Sequence, residues 1–179
     1  MISLIALYNV DYNNIMNKIK INNGNYKDFQ FIEYIKSGKK IKEWKKIRIG
    51  DYFDLVKNYK TFLVQNSEFG NYPLITRSGE NNGITKYIND YSLNREYITI
   101  APSGSSGATF YHNYKFAVDK MLKIYKLKEN KCKLNNENNI NLALFALMCN
   151  YKLTKLYSYN NGLTIEKIND EIIDYPLFK

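Results

Sequence analysis

Between Tyr72 and Lys128 the chain alternates short β-prone runs with turns that few residue types can make, and this limits its fold more than anything else in it. One unit is Tyr72-Pro-Leu-Ile-Thr-Arg-Ser-Gly-Glu-Asn-Asn-Gly-Ile-Thr-Lys-Tyr-Ile88, and the next is Tyr97-Ile-Thr-Ile-Ala-Pro-Ser-Gly-Ser-Ser-Gly-Ala-Thr-Phe-Tyr-His-Asn113. Each reads as strand, flexible turn, strand, because Gly and Asn accept left-handed backbone that other residues avoid. Loops held on a rigid framework commonly carry recognition, so the two units read as a scaffold for loops that touch a polar ligand.

The flanks fit the same reading. From Trp44, Ile47 and Ile49 alternate with charge, and Gly50-Asp51 punctuates before Tyr52, Phe53, Leu55 and Val56, as in a strand, a turn and a second short strand. Trp44 itself is expected to anchor the core. Residues 57–71 form a polar surface loop that leads to a strand over Pro73 to Thr76. Ala108 to Tyr111, Phe116 to Val118 and Met121 to Leu127 follow as strands with a turn at His112-Asn113, the last predicted to alternate Leu122 and Ile124 with Lys123 and Tyr125 as a half-exposed strand does. Ile140 through Tyr157 is the best helix, with Asn141 as its cap and Leu144, Leu147, Met148 and Tyr151 on its core face. Residues 1–41 predict an N-terminal helical extension, broken at Asn22-Asn-Gly-Asn25, which leaves 42–179 as one domain.

At 179 residues with 45% hydrophobic content, the chain can bury a substantial core. Its formal charge of +9 is unevenly placed: residues 36–60 carry nine basic side chains against three acidic, and residues 114–133 seven against two. Basic charge gathered in two segments is what a phosphate-contacting surface needs, although a Lys-, Asn-, Ile- and Tyr-rich composition also produces a solvated Lys-rich surface. Cys132 and Cys149 have no partnering motif and read as reduced thiols of a cytoplasmic protein. The apolar start Met1 to Tyr8 lacks a basic flank, and Leu142 to Cys149 is too short to span a bilayer, so neither a signal peptide nor a membrane anchor is expected.

Most catalytic sets are missing from the sequence. The single histidine, His112, has no nucleophile elbow to serve, since Gly104-Ser-Ser-Gly107 lacks the Gly-x-Ser-x-Gly spacing. No Walker or dinucleotide fingerprint follows either Gly-rich turn, and zinc ligands are lacking in number and spacing. The three prolines are never adjacent, so the Pro-Pro-Tyr/Phe motif of amino-methyltransferases is absent. Asp119 with Glu129-Asn-Lys131 is the one set that a Mg²⁺-dependent nuclease would use, on a stretch that reads as loop. No catalytic residue, metal ligand or cofactor is therefore assigned.

Taken with Lys42-Glu-Trp-Lys-Lys-Ile-Arg-Ile-Gly-Asp-Tyr-Phe53 before them, and Tyr159-Asn-Asn-Gly-Leu-Thr-Ile165 and Ile172-Ile-Asp-Tyr-Pro176 after, the two strand-turn-strand units resemble the target recognition domain of type I restriction-modification specificity subunits. The resemblance covers residues 42–178 and rests on the order and spacing of these pieces. It implies an α/β (α+β) fold, a small mixed, largely antiparallel twisted sheet with a few packing helices. It also implies non-catalytic, sequence-specific recognition of double-stranded DNA, with methylation or cleavage carried by partner subunits such as a DNA methyltransferase. The family's long spacer helices are not seen in this sequence, so a half subunit that pairs as a homodimer and reads a symmetric site is one expectation.

Under this reading Arg77, Asn81 and Asn82 have the donors and acceptors that read guanine and adenine edges, with Ser78 beside them. The plainer reading of Asn-Asn-Gly is that it only forms the turn. Ser103, Ser105 and Ser106 suit close sugar-phosphate approach, and equally suit a tight turn. Lys57, Lys60, Lys115 and Lys123 supply phosphate contacts, and Tyr111, His112, Tyr159 and Asn160 complete the candidate set. The alternatives to DNA recognition are a protein-interaction or structural module with architectural turns and compositional charge, and, behind it, a metal-dependent nuclease using the Asp119 and Glu129 set.

Overall fold

The computed structural model describes residues 41–132, 139–158 and 160–178. The extension expected for 1–41 therefore lies, but for Ile41, outside the described residues. Strand β1 (Ile41–Arg48) runs antiparallel to β10 (Ile172–Phe178) along its whole length. Ile47, Ile173, Tyr175 and Leu177 turn one face of this ribbon inward and are buried. Trp44 stands an odd number of positions from Ile47, so strand alternation sends it to the outer face opposite Pro176, 40% exposed and not the core anchor that its size implied.

A one-turn helix, α1 (Ile49–Tyr52), links β1 to β2 (Phe53–Leu55). The middle sheet has the order β2-β9-β6-β7, with β9 at Lys123–Leu127, β6 at Tyr97–Ile100 and β7 at Thr109–His112, and is antiparallel throughout. The outer sheet has the order β4-β3-β8-β5, formed by Ile84–Ile88, Phe69–Ile75, Lys115–Val118 and Leu93–Asn94. Only β3 and β8 run parallel within it. The mixed, largely antiparallel architecture is as expected, distributed over three sheets among the described residues. Pro73 is accommodated because β3 is paired there to β4 alone, the parallel pairing to β8 starting at Leu74.

Helix α2 (Leu142–Leu156) starts at Asn141, whose side-chain oxygen accepts from the Leu144 amide at 3.0 Å as predicted. Leu144 and Met148 are buried and Leu147 and Tyr151 half-buried, while Phe145, Ala146, Cys149 and Leu153 widen the buried arc. The arc is wide because the helix packs between the ribbon and the middle sheet. Helix α3 (Ile165–Asp170), capped by Thr164, adds Ile168 to the same core. Each large side chain buried there contributes about 1.5–3 kcal/mol of transfer free energy.

Three apolar layers result among the described residues. The first joins α2, the ribbon and one face of the middle sheet through Phe53, Ile98, Ile100, Tyr125 and Phe145. The second lies between the two four-stranded sheets and holds Ile75, Phe116, Val118, Leu122 and Ile124. The third, Leu74, Ile88 and Ala117 with Phe62 against them, closes the back of the outer sheet. Strand β9 thus lies between two cores, with Ile124 in one and Tyr125 in the other, and the half-exposed alternation expected of it is replaced by burial on both faces.

Candidate nucleic-acid interface

Strand directions bring four segments to one end of the paired sheets. β3 leaves at Ile75 beside Val118, the last residue of the parallel β8. β6 leaves at Ile100 opposite Lys123, the first residue of β9. The loops over 76–83, 101–108 and 119–122 therefore emerge together. The chain after β2 passes across them, held by the Val56 amide on the Ile124 carbonyl at 2.8 Å and the Phe62 amide on the Val118 carbonyl at 2.9 Å.

The 76–83 loop is closed at its neck, where the Thr76 amide donates to the Gly83 carbonyl at 2.8 Å and the Thr76 and Thr85 hydroxyls meet at 2.6 Å. At its tip Asn81, Asn82 and Gly83 take φ of 48°, 52° and 75° in succession. Asn is the side-chain-bearing residue that tolerates this region best, so Asn-Asn-Gly is the local sequence that makes a left-handed tip affordable. Asn81 remains exposed and Ser78 and Asn82 half-buried.

The 101–108 loop packs against it. The Ser105 amide donates to the Arg77 carbonyl at 3.1 Å, and Gly104, at φ 74°, lets the two backbones approach: a Cβ there would stand 3.2 Å from the Arg77 carbonyl oxygen. The far side of this loop rests on α2 at Gly107, where a Cβ would fall 2.5 Å from the Leu153 backbone. A further turn, over residues 157–163 after α2, joins through the Leu163 amide, 3.4 Å from the Pro102 carbonyl. Asn160 is exposed on that turn, and Tyr159 lies outside the described residues.

Arg77 is the centre of this arrangement. Its Nη1 donates to the Ser103 hydroxyl at 3.2 Å, and its Nε lies 3.5 Å from Asp119 Oδ2, buried and without a hydrogen-bond acceptor. The other oxygen of Asp119 accepts from the Met121 and Leu122 amides at 2.6 and 3.2 Å, which fixes the 119–122 turn. Lys57 is exposed and Lys123 half-buried, on either side of the Val56–Ile124 contact. Lys120, on the 119–122 turn, is exposed at the same end and was not singled out from sequence. The signal for it was a basic residue in a turn directly after the apolar run Phe116 to Val118.

The remaining sequence candidates are buried, paired within the fold or placed away from this surface. Lys60 is paired with Asp90 at 2.6 Å and stands over the Phe62 ring, along an open cleft of about 600 Å³ that includes Leu63, Asn66 and Asn89. The hydrogen bond from Lys60 lowers the Asp90 carboxyl below its ordinary range. Lys115 is at the start of β8, the end away from Val118, over the Tyr91 ring at 4.8 Å. Tyr111 is half-buried on β7 and packs against the first core. Ser106 is buried, its hydroxyl donating to the Pro102 carbonyl at 3.2 Å.

His112 is completely buried between the sheets and offers nothing to a ligand. Its Nε2 meets the Thr99 hydroxyl at 2.9 Å, its Nδ1 meets the Tyr114 hydroxyl at 3.0 Å, and its ring lies on Phe116 with centroids 4.6 Å apart. Burial pushes its pKa down to about 3, so it is neutral. Among the described residues, Lys57, Arg77, Ser78, Asn81, Asn82, Ser103, Ser105 and Lys123 are brought to the common end, with Asn160 on the adjoining turn.

A family described as the Type I restriction modification DNA specificity domain matches residues 41–176. A Mycoplasma pneumoniae protein named as a type I specificity subunit is 30% identical over 111 residues, 60% of this chain and 34% of that protein. The type I restriction-modification S subunit from M. genitalium is similar in structure, with a TM-score of 0.54 and 16% identity over 89% of this chain and 40% of that one. The HsdS subunit from Thermoanaerobacter tengcongensis gives a TM-score of 0.50 and 12% identity over 75% of this chain and 34% of that one. The chain thus spans about a third of the length of the named relative and 40% or less of these two solved subunits. The two structural likenesses bear on the fold.

Proposed function

Because this chain belongs to the type I restriction modification DNA specificity domain family, we propose that it recognises a short sequence of double-stranded DNA with the end of its paired sheets where the glycine-rich loops meet. The observation that carries this reading is the direct packing of the 76–83 and 101–108 loops through the Ser105 amide and the Arg77 carbonyl. Base reading needs donors and acceptors held in place before the DNA arrives, and two loops that brace each other hold Arg77, Asn81 and Asn82 at lower entropic cost than two independent ones.

In this reading Arg77, Asn81 and Asn82 address base edges. Ser78, Ser103 and Ser105 serve the adjoining sugar-phosphate. Lys57, Lys120 and Lys123 neutralise phosphates, setting position and salt dependence without reading sequence. Asn160 extends the surface along the turn that follows α2. Methylation and cleavage fall to partner subunits, of which a DNA methyltransferase is the one a specificity component requires.

The experiment is retention of a randomised duplex library by the purified chain, followed by sequencing of the retained fraction. An enriched motif is the expected result. Retention that is salt-sensitive but enriches no motif, or no retention at low salt, would overturn the reading.

A further inference from the structure

We infer that Arg77 reads a guanine in the major groove and that Asp119 is the residue that positions it. The inference rests on the DNA reading above and names what one side chain of that surface recognises. Arg77 is held at two points, by Ser103 on Nη1 and by Asp119 at 3.5 Å from Nε, while its carbonyl is taken by the Ser105 amide. The Nε edge is buried, yet the side chain as a whole is 39% exposed. The Nη1–Nη2 edge therefore keeps donors to spare, in the planar fork that matches the O6 and N7 acceptors of guanine.

Two features favour a base over a phosphate as its target. A carboxylate already beside the guanidinium offsets much of the charge that would draw a phosphate, but leaves hydrogen bonding to a neutral acceptor pair intact. A guanidinium oriented by one hydrogen bond to Ser103 and an ion pair to Asp119 gains most from a bidentate partner with a plane of its own. Asp119 is itself immobilised, because its second oxygen binds the Met121 and Leu122 amides. It touches Arg77 from the turn joining β8 to β9, so one carboxylate ties the 76–83 loop to the 119–122 turn.

The test compares the unmodified chain with Arg77→Lys, Arg77→Ala and Asp119→Asn, each profiled on every single-base variant of the duplex that the unmodified chain selects, across a salt series. Arg77→Lys keeps the charge and loses the fork; Asp119→Asn keeps one oxygen for the two amides and loses the charge. The expected result is a G·C pair at which both Arg77 variants lose roughly 5- to 100-fold of discrimination, with the other positions unchanged and the salt slope of Arg77→Lys unaltered. Asp119→Asn relaxes the same position by a smaller factor. Uniform weakening across all sequences, with the slope of Arg77→Ala reduced by about one, would assign Arg77 to a phosphate and overturn the inference. A selected motif that no Arg77 variant alters would overturn it while leaving DNA recognition standing. Failure of the unmodified chain to select any motif would remove both.

Discussion

His112 carries a pH dependence that the folded chain cannot avoid. Its imidazole is buried against Phe116 between two hydroxyls, and burial holds its pKa at about 3, far below the ordinary value of 6.5. The unfolded chain takes up a proton near 6.5 and the folded chain does not, so the neutral-histidine contribution is complete above that pH. It is lost as pH falls toward 3, by up to about 1.4 kcal/mol per unit. Denaturant unfolding of the unmodified chain and of His112→Gln, each at pH 7.5 and 5, checks this. The drop in stability on acidification should be smaller in the variant by roughly 2 kcal/mol, and identical drops would contradict it. At this scale the sequence was least informative. His112 and Trp44 were assigned by residue type, but their surroundings depend on which face of a strand they occupy and on what packs there. Strand parity put Trp44 outside, and the inter-sheet layer put His112 inside.

Elements were more legible, because their signals are local. Asn141 as a cap, the helix that follows, and strands near 73–76, 108–111 and 116–118 are found within a few residues of where spacing and turn chemistry put them. What failed was the reading of β9, whose alternation of Lys and Tyr with Leu and Ile resembled a strand with one wet face. Tyr125 is long enough to enter the first core, with its hydroxyl donating to Asn169 Oδ1 at 3.1 Å, and no local pattern registers that. The glycines of the 76–83 and 101–108 loops read as turn formers, which they are. Gly107, however, is also fixed by what it touches. Gly107 combines φ 84° with backbone of α2 where a Cβ would be, so Gly107→Ala faces both backbone strain and a collision. The variant should lose about 1–3 kcal/mol or more and should bind the selected duplex more weakly even at temperatures where it is fully folded. Thermal unfolding and a binding titration at low temperature check both, and an unchanged melting temperature would contradict the packing described here.

Across the whole molecule, the site is composite. Apart from Asn160, its members come from four segments between Lys57 and Lys123, and only the parallel β3–β8 pairing and the β6–β9 register put them at one end. The two loops were identifiable as loops, and their residue types as suited to nucleic acid, but nothing local indicated that residue 77 would meet residue 105, or that Lys60 and Lys115 would be directed elsewhere. Charge behaves likewise: the two basic segments were visible, whereas the subset facing the loops was not. The division between positioning and reading residues is testable at this scale. Lys57→Ala combined with Lys123→Ala should reduce the slope of log affinity against log salt by about two while the selected motif stays the same. A changed motif with an unchanged slope would reverse the roles given to these side chains.

Sequence recognition is measured by the affinity ratio between the duplex selected from a random library and a permuted duplex of the same composition, taken across a salt series. The selected duplex should bind at least about 10³-fold more tightly, with both affinities falling as salt rises. Equal affinities for the two duplexes at every salt concentration would contradict it.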